Sequence, residues 1–132
     1  DIVKIDHLTP YDPVKEFGEG WSVVEEDEYY LALTELFLSQ LDSFEFFENK
    51  DKVAGSILLG AKVREIFLKK PYLIPPCCGE EIWFLGTIIQ DSKGECYVLS
   101  MYKDEGRWLP GYTDLDFFNK RHHPILFLKN EN

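Results

Sequence analysis

Between residues 81 and 90 the chain is apolar on both faces that a strand would present: Ile82, Phe84 and Ile88 against Trp83, Leu85 and Ile89. Side chains alternate along a strand, so such a segment must be covered above and below and belongs in the middle of a sheet. Turn chemistry follows at once. Asp91-Ser92-Lys93-Gly94 leads into a returning strand over 95–102, and Asp104-Glu105-Gly106 into a third over 107–112. Pro110 has no N–H to give to a ladder, which confines that third strand to an edge. Thr113-Asp114 offers a cap for a short helix through Asn119, and residues 125–128 close the chain as a last strand.

The front half reads differently. Tyr29, Leu33, Leu36, Phe37, Leu41, Phe44 and Phe47 recur at helical spacing, which predicts one long helix over 25–48. Glu25-Glu26-Asp27-Glu28 stands at its start, where negative charge favours the helix dipole, with Ser22 as a cap three residues before Glu25. A second helix is expected from Asp51 to about residue 62, although Gly55 and Gly60 weaken it by roughly 1 kcal/mol each. Residues 63–68 have a strand as their alternative. The opening residues 2–8 suit a short strand, Pro10 and Pro13 break it, and Pro71, Pro75, Pro76 and Gly79 mark a long connection. The expected fold is α+β: a single domain over 1–132, with an N-terminal helical part packed on a C-terminal, mainly antiparallel sheet.

Charge narrows the function. The net charge is −10, and its distribution is one-sided. Residues 1–48 hold 13 acids against 2 bases, whereas residues 49–132 hold 11 against 12. No Lys or Arg occurs from Glu16 to Asn49. Such a field repels nucleic acid and anionic membrane and draws basic partners. No apolar run approaches the ~20 residues that span a bilayer, and residues 1–6 lack the character of a signal peptide, so a cytoplasmic protein is expected. Three cysteines, two of them adjacent, make a poor disulfide framework and suit a reducing compartment.

No nucleophile elbow, P-loop or dinucleotide fingerprint is present. Cys77-Cys78 with His122-His123 would offer four zinc ligands, but adjacent thiols do not have the C-x-x-C spacing, and a tight turn with one thiol buried is the plainer reading. Glu80-Glu81 would serve as an acid–base pair, yet pairs of this kind arise by chance in a chain with 24 acids. No catalytic residue, metal or cofactor is expected, and the chain reads as a binding protein rather than an enzyme.

The candidate binding residues fall in two groups. On the expected long helix, Glu28, Glu35 and Asp42 are spaced by seven and form a stripe opposite the core face, interleaved with Leu31 and Leu38. Near the C-terminus, Trp108 and Tyr112 lie among Asp104, Glu105, Asp114 and Asp116, aromatic anchors with steering charge around them. In size, acidity and lack of an active site the chain resembles bacterial immunity proteins. That resemblance implies an inhibitor that binds and neutralises a basic, nucleic-acid-directed toxin in a one-to-one cytoplasmic complex. The rival is a small enzyme or ligand-binding domain whose pocket lies between helices and sheet and uses Cys77, Cys78, His122 or Glu80-Glu81.

Overall fold

The computed structural model describes residues 2–46 and 56–129. Their order is β1 (Ile2–Lys4), α1 (Pro13–Phe17), β2 (Ser22–Glu26), α2 (Glu28–Leu31), β3 (Glu35–Phe37), β4 (Leu41–Phe46), β5 (Ile57–Leu58), α3 (Ala61–Lys69), β6 (Glu81–Gln90), β7 (Cys96–Asp104), β8 (Arg107–Asp114), α4 (Leu115–Asn119) and β9 (His123–Leu128). Three-residue 3-10 turns follow β3 and α3 and precede β6. The main sheet runs β4-β9-β6-β7-β8, with β2 pairing β6 and β5 pairing β9, while β1 and β3 form a separate antiparallel ribbon.

The fold corrects the expectation of a long N-terminal helix packed on a C-terminal sheet. The protein is mostly sheet, and α3 is the one helix of seven or more residues among those described. Residues 25–46 alternate between strand and short turns. Asp27 caps α2 by accepting from the Tyr29 and Tyr30 amides, both at 2.9 Å, and the helix stops after one turn. Burial follows only in part the register read off the helical pattern. Leu36 and Leu41 are buried as that pattern placed them, but Tyr30, which it left out, is fully buried, and Tyr29 and Phe37, placed on the expected core face, are exposed. Phe47 lies outside the described residues, as do residues 51–55 of the expected second helix. Within 56–69 the order is reversed: β5 occupies 57–58 and the helix begins only at Ala61, so 63–68 is helical.

The centre of the molecule is a break in β6. Phe84 pairs with Leu99 and Ile88 with Val98, so β6 advances four residues while β7 advances one. A bulge of this size bends the strand. As a result the first half of β6 meets β9 (Trp83 opposite Ile125) and the second half meets β2 (Glu26 opposite Thr87, Ser22 opposite Gln90). The segment at β5 enters the gap. The Gly86 amide donates to the Leu59 carbonyl at 2.9 Å, and the Asp27 amide donates to the Gly86 carbonyl at 2.9 Å. A Cβ at Gly86 would fall on the Leu58 carbonyl oxygen, so the close approach needs glycine.

Both faces of β6 are covered, as its sequence requires. On one, Val63 and Phe67 of α3 join Ile82, Phe84 and Met101. On the other, Phe118 of α4 joins Trp83, Leu85, Ile88, Val98 and Ile125. The α3 N-terminus is tied down by side chains from elsewhere: Thr87 Oγ1 accepts from the Ala61 amide at 2.9 Å, and Tyr30 Oη accepts from the Lys62 amide at 2.6 Å. These bonds satisfy amides that a helix start leaves without partners.

Candidate partner-binding surface

The expected acidic stripe does not exist as one face, because its residues sit on four different elements. Glu28 and Leu31 remain together on α2, both exposed, next to Tyr29, which is 64% exposed. Glu35 on β3 accepts from Lys4 Nζ at 2.8 Å. Leu38 lies in the 3-10 turn after β3 and packs on the main core. Asp42 on β4 accepts from the Ser43 amide at 2.8 Å and faces Lys129 Nζ at 3.4 Å. Before α2, β2 pairs only with β6 among the described residues and shows Val24 and Glu25 to solvent. The surface that survives from this group is therefore β2–α2, with Glu25, Glu28, Tyr29 and Leu31.

The second group is divided by the β7–β8 hairpin. Asp104 opposes Arg107 at the turn, with Glu105 beside it, and Trp108 is half-buried against the core with Lys103 Nζ 6.0 Å from its ring centre. Tyr112, Asp114 and Asp116 lie at the opposite end, where Tyr97 opposes Asp114. There Asp114 caps α4, accepting from the Phe117 amide at 2.7 Å.

That far end is the better-formed surface. A groove of about 600 Å³ is lined by Gly94, Glu95, Cys96, Asp114, Leu115 and Asp116, so its wall carries three acidic residues and no basic one. Lys93 is the nearby cation in the turn. Tyr97 Oη sits 2.9 Å from Asp91 Oδ2 and 3.1 Å from Glu95 Oε2. The hydrogen bond to Asp91, then burial and the Glu95 carboxylate, hold the phenol proton well above its usual range. Burial pushes Asp91 up, but the Glu95 amide, the Tyr97 hydroxyl and the Lys93 amide outweigh it, and the carboxyl stays below the usual range.

Four aromatic rings cluster together, one of them Tyr97, whose hydroxyl reaches Glu95 of the groove, while Cys96 and Leu115 of the groove pack into the core on the other face of the sheet. Trp21 stacks on Phe17 at 4.7 Å and meets Tyr97 at 5.0 Å, while Tyr112 touches Phe17 at 4.8 Å and Tyr97 at 5.6 Å. The sequence reading missed Phe17, Trp21, Glu95 and Tyr97. Nothing in a linear pattern joins residues 17–21 to 95–97; the pairing of β2 with the end of β6 does so.

Between α3 and the sheet lies a cleft of about 420 Å³, whose lining includes Tyr11, Glu16, Arg64 and Pro110 but none of the residues named for the rival pocket. Arg64 of α3 is buried, and its Nε donates to the Ser100 carbonyl at 2.8 Å. Its terminal nitrogens bind both Glu16 oxygens at 2.7 and 2.9 Å and the Gly111 carbonyl at 3.0 Å. Tyr11 Oη also donates to Glu16, at 2.6 Å. Burial raises the Glu16 carboxyl, but the Arg64 and Tyr11 hydrogen bonds win and hold it below the usual range. Near the β6 break, Glu26 is pushed up by burial, although the Thr87 hydroxyl and His7 draw it down. Its neighbours Thr87 and Tyr30 are the groups that cap α3, which accounts for a polar cluster there without catalysis.

Of the other chemical candidates, the structure joins His123 to Glu81, with Nδ1 3.6 Å from Oε1, while the Trp83 indole donates to the same oxygen. His123 lies against Phe118 and Trp83, both at 4.9 Å, and its buried Nε2 has no hydrogen-bond partner among the described residues. Cys77 and Cys78 sit instead near Leu41 and Ser43, at the other end of β4 from the residue paired with His123. Among the described residues no three His, Cys, Asp or Glu side chains are grouped to hold a metal ion, and no helix is long and apolar enough to cross a membrane.

No known protein family, curated protein or solved structure matches this chain.

Proposed function

We propose that the protein is a small acidic inhibitor that binds and neutralises a basic protein partner, of the kind a nucleic-acid-directed bacterial toxin presents, in a cytoplasmic one-to-one complex. The observation that carries this reading is the groove walled by Glu95, Asp114 and Asp116, with exposed Tyr112 two residues before Asp114 on the same strand. The resemblance in size and charge to immunity proteins points the same way. A cleft that handles nucleic acid must be cationic, and an acidic surface with aromatic anchors both steers such a cleft and occupies it. The β2–α2 surface extends this face. β2 starts beside Gln90, next to the groove, and its five residues carry the chain roughly 17 Å to Glu28, at ~3.3 Å per residue.

The test is association kinetics with the basic products of neighbouring genes. The expected result is a tight complex whose on-rate falls as salt rises. Replacing Glu28, Glu95 and Asp116 together by Lys slows association by at least roughly tenfold at low salt. A complex whose on-rate ignores both salt and the three reversals would overturn the reading.

A further inference from the structure

Cys77 and Cys78 stand apart from the proposed interface, in the 3-10 turn Pro76–Cys78 that precedes β6. They differ sharply in environment. Cys77 is exposed, with its Sγ 3.9 Å from the Leu41 carbonyl oxygen, whereas Cys78 is buried in the main core. The turn is held in place: the Cys78 amide donates to the Pro75 carbonyl at 3.1 Å, and Ser43 Oγ donates to the Cys77 carbonyl at 2.9 Å. The third thiol, Cys96, is half-buried in β7 near Gln90 Nε2.

We propose that Cys77 and Cys78 form a reversible redox modification site, in which Cys77 reacts with a low-molecular-weight disulfide and Cys78 resolves the adduct into a Cys77–Cys78 disulfide. In the first step the Cys77 thiolate attacks one sulfur of the small disulfide, forming a mixed disulfide and expelling a small thiolate. That thiolate takes up the proton Cys77 gave away. In the second step the Cys78 sulfur attacks Cys77 Sγ, its proton goes to the second departing thiolate, and the ring closes. The protein is oxidised by two electrons, and one small disulfide is reduced to two thiols.

The geometry sets the order. Exposure gives the first step to Cys77. Burial first, and then the neighbouring Cys77 sulfur and its hydrogen bond, keep the proton on Cys78, so Cys78 does not initiate. Once Cys77 is capped its negative charge is gone, and part of what held the Cys78 proton disappears with it. Adjacency then supplies a high effective concentration for closure. Neighbouring Cα atoms lie ~3.8 Å apart, shorter than the ~4.4–6.8 Å usual for a disulfide, so the ring is strained and readily reduced. Reversibility follows from that strain.

The test treats the native full chain with oxidised glutathione and follows it by intact mass and peptide mapping. The expected wild-type product has lost two hydrogens, mapped to the Cys77–Cys78 peptide, and recovers them with dithiothreitol. C78S, or C78A if the serine does not fold, stops at a glutathione adduct on Cys77. C77S gives neither product, while C96S behaves like wild type. Reaction at Cys77 runs about tenfold or more ahead of Cys96. A lasting Cys77 adduct in the wild type, first reaction at Cys96, or an inert native chain that reacts only in urea would each overturn the proposal.

Discussion

Arg64 shows how much of this fold one side chain can hold. It reaches from α3 to the carbonyls of Ser100 on β7 and Gly111 on β8 and to the Glu16 carboxylate near the end of α1. Removing one partner of a largely buried ion pair leaves the other groups without partners, which costs about 3–5 kcal/mol. Arg64→Ala is therefore expected to lower unfolding stability by about 3 kcal/mol, read as a shift of the urea midpoint. His123 predicts a pH effect. Burial first, and then Arg121 and His122, lower its pKa more than Glu81 raises it, and its buried Nε2 has no hydrogen-bond partner among the described residues. The unfolded chain, with a His pKa of about 6.5, then binds the proton more readily than the folded one. Stability from this residue is complete above that value and declines as pH falls through it towards the lower folded pKa. His123→Phe should flatten the loss of stability between about pH 7 and pH 5 seen in urea titrations of the wild type; equal slopes would refute the assignment.

At the scale of elements, the break in β6 is the part most exposed to a small change. Gly86→Ala would press a methyl group onto the Leu58 carbonyl and the Leu59 backbone carbon, and backbone cannot swing aside as a side chain does. The expected cost is about 2–3 kcal/mol, measured by denaturant unfolding. The elements around this break were legible in the sequence to unequal degrees. From 81 to 119, local signals match the elements formed: two-sided apolar pattern, turn residues, an edge proline and a capping aspartate. From 22 to 46 they mislead, because partners distant in sequence decide the outcome. Leu41 and Phe44, three apart, suit a helix face better than a strand's alternation, yet pairing with β9 selects the strand and sends them to opposite faces, Leu41 into one core and Phe44 against the other. The candidate surface was legible only in part. Tyr112, Asp114 and Asp116 were visible as an acidic, aromatic stretch, whereas Trp21 and Glu95 join them only through pairing that no local pattern encodes.

At the scale of the whole molecule, the uneven charge and the strand order are two views of one arrangement. The acid-rich front half supplies edge strands and short ribbons, and the near-neutral back half supplies the central hairpins. Among the described residues β2 pairs only with β6, and β4 and β5 only with β9, so each lacks that partner until most of the chain exists. Such distant pairings close slowly, and unpaired strands are the segments through which incomplete chains associate. During synthesis the front half leaves the ribosome first and must wait, with Leu41 unable to dock until Leu128 is made. Its surplus of carboxylates gives waiting chains a shared negative charge, and the mutual repulsion keeps one nascent copy from finding another before its own last strand arrives.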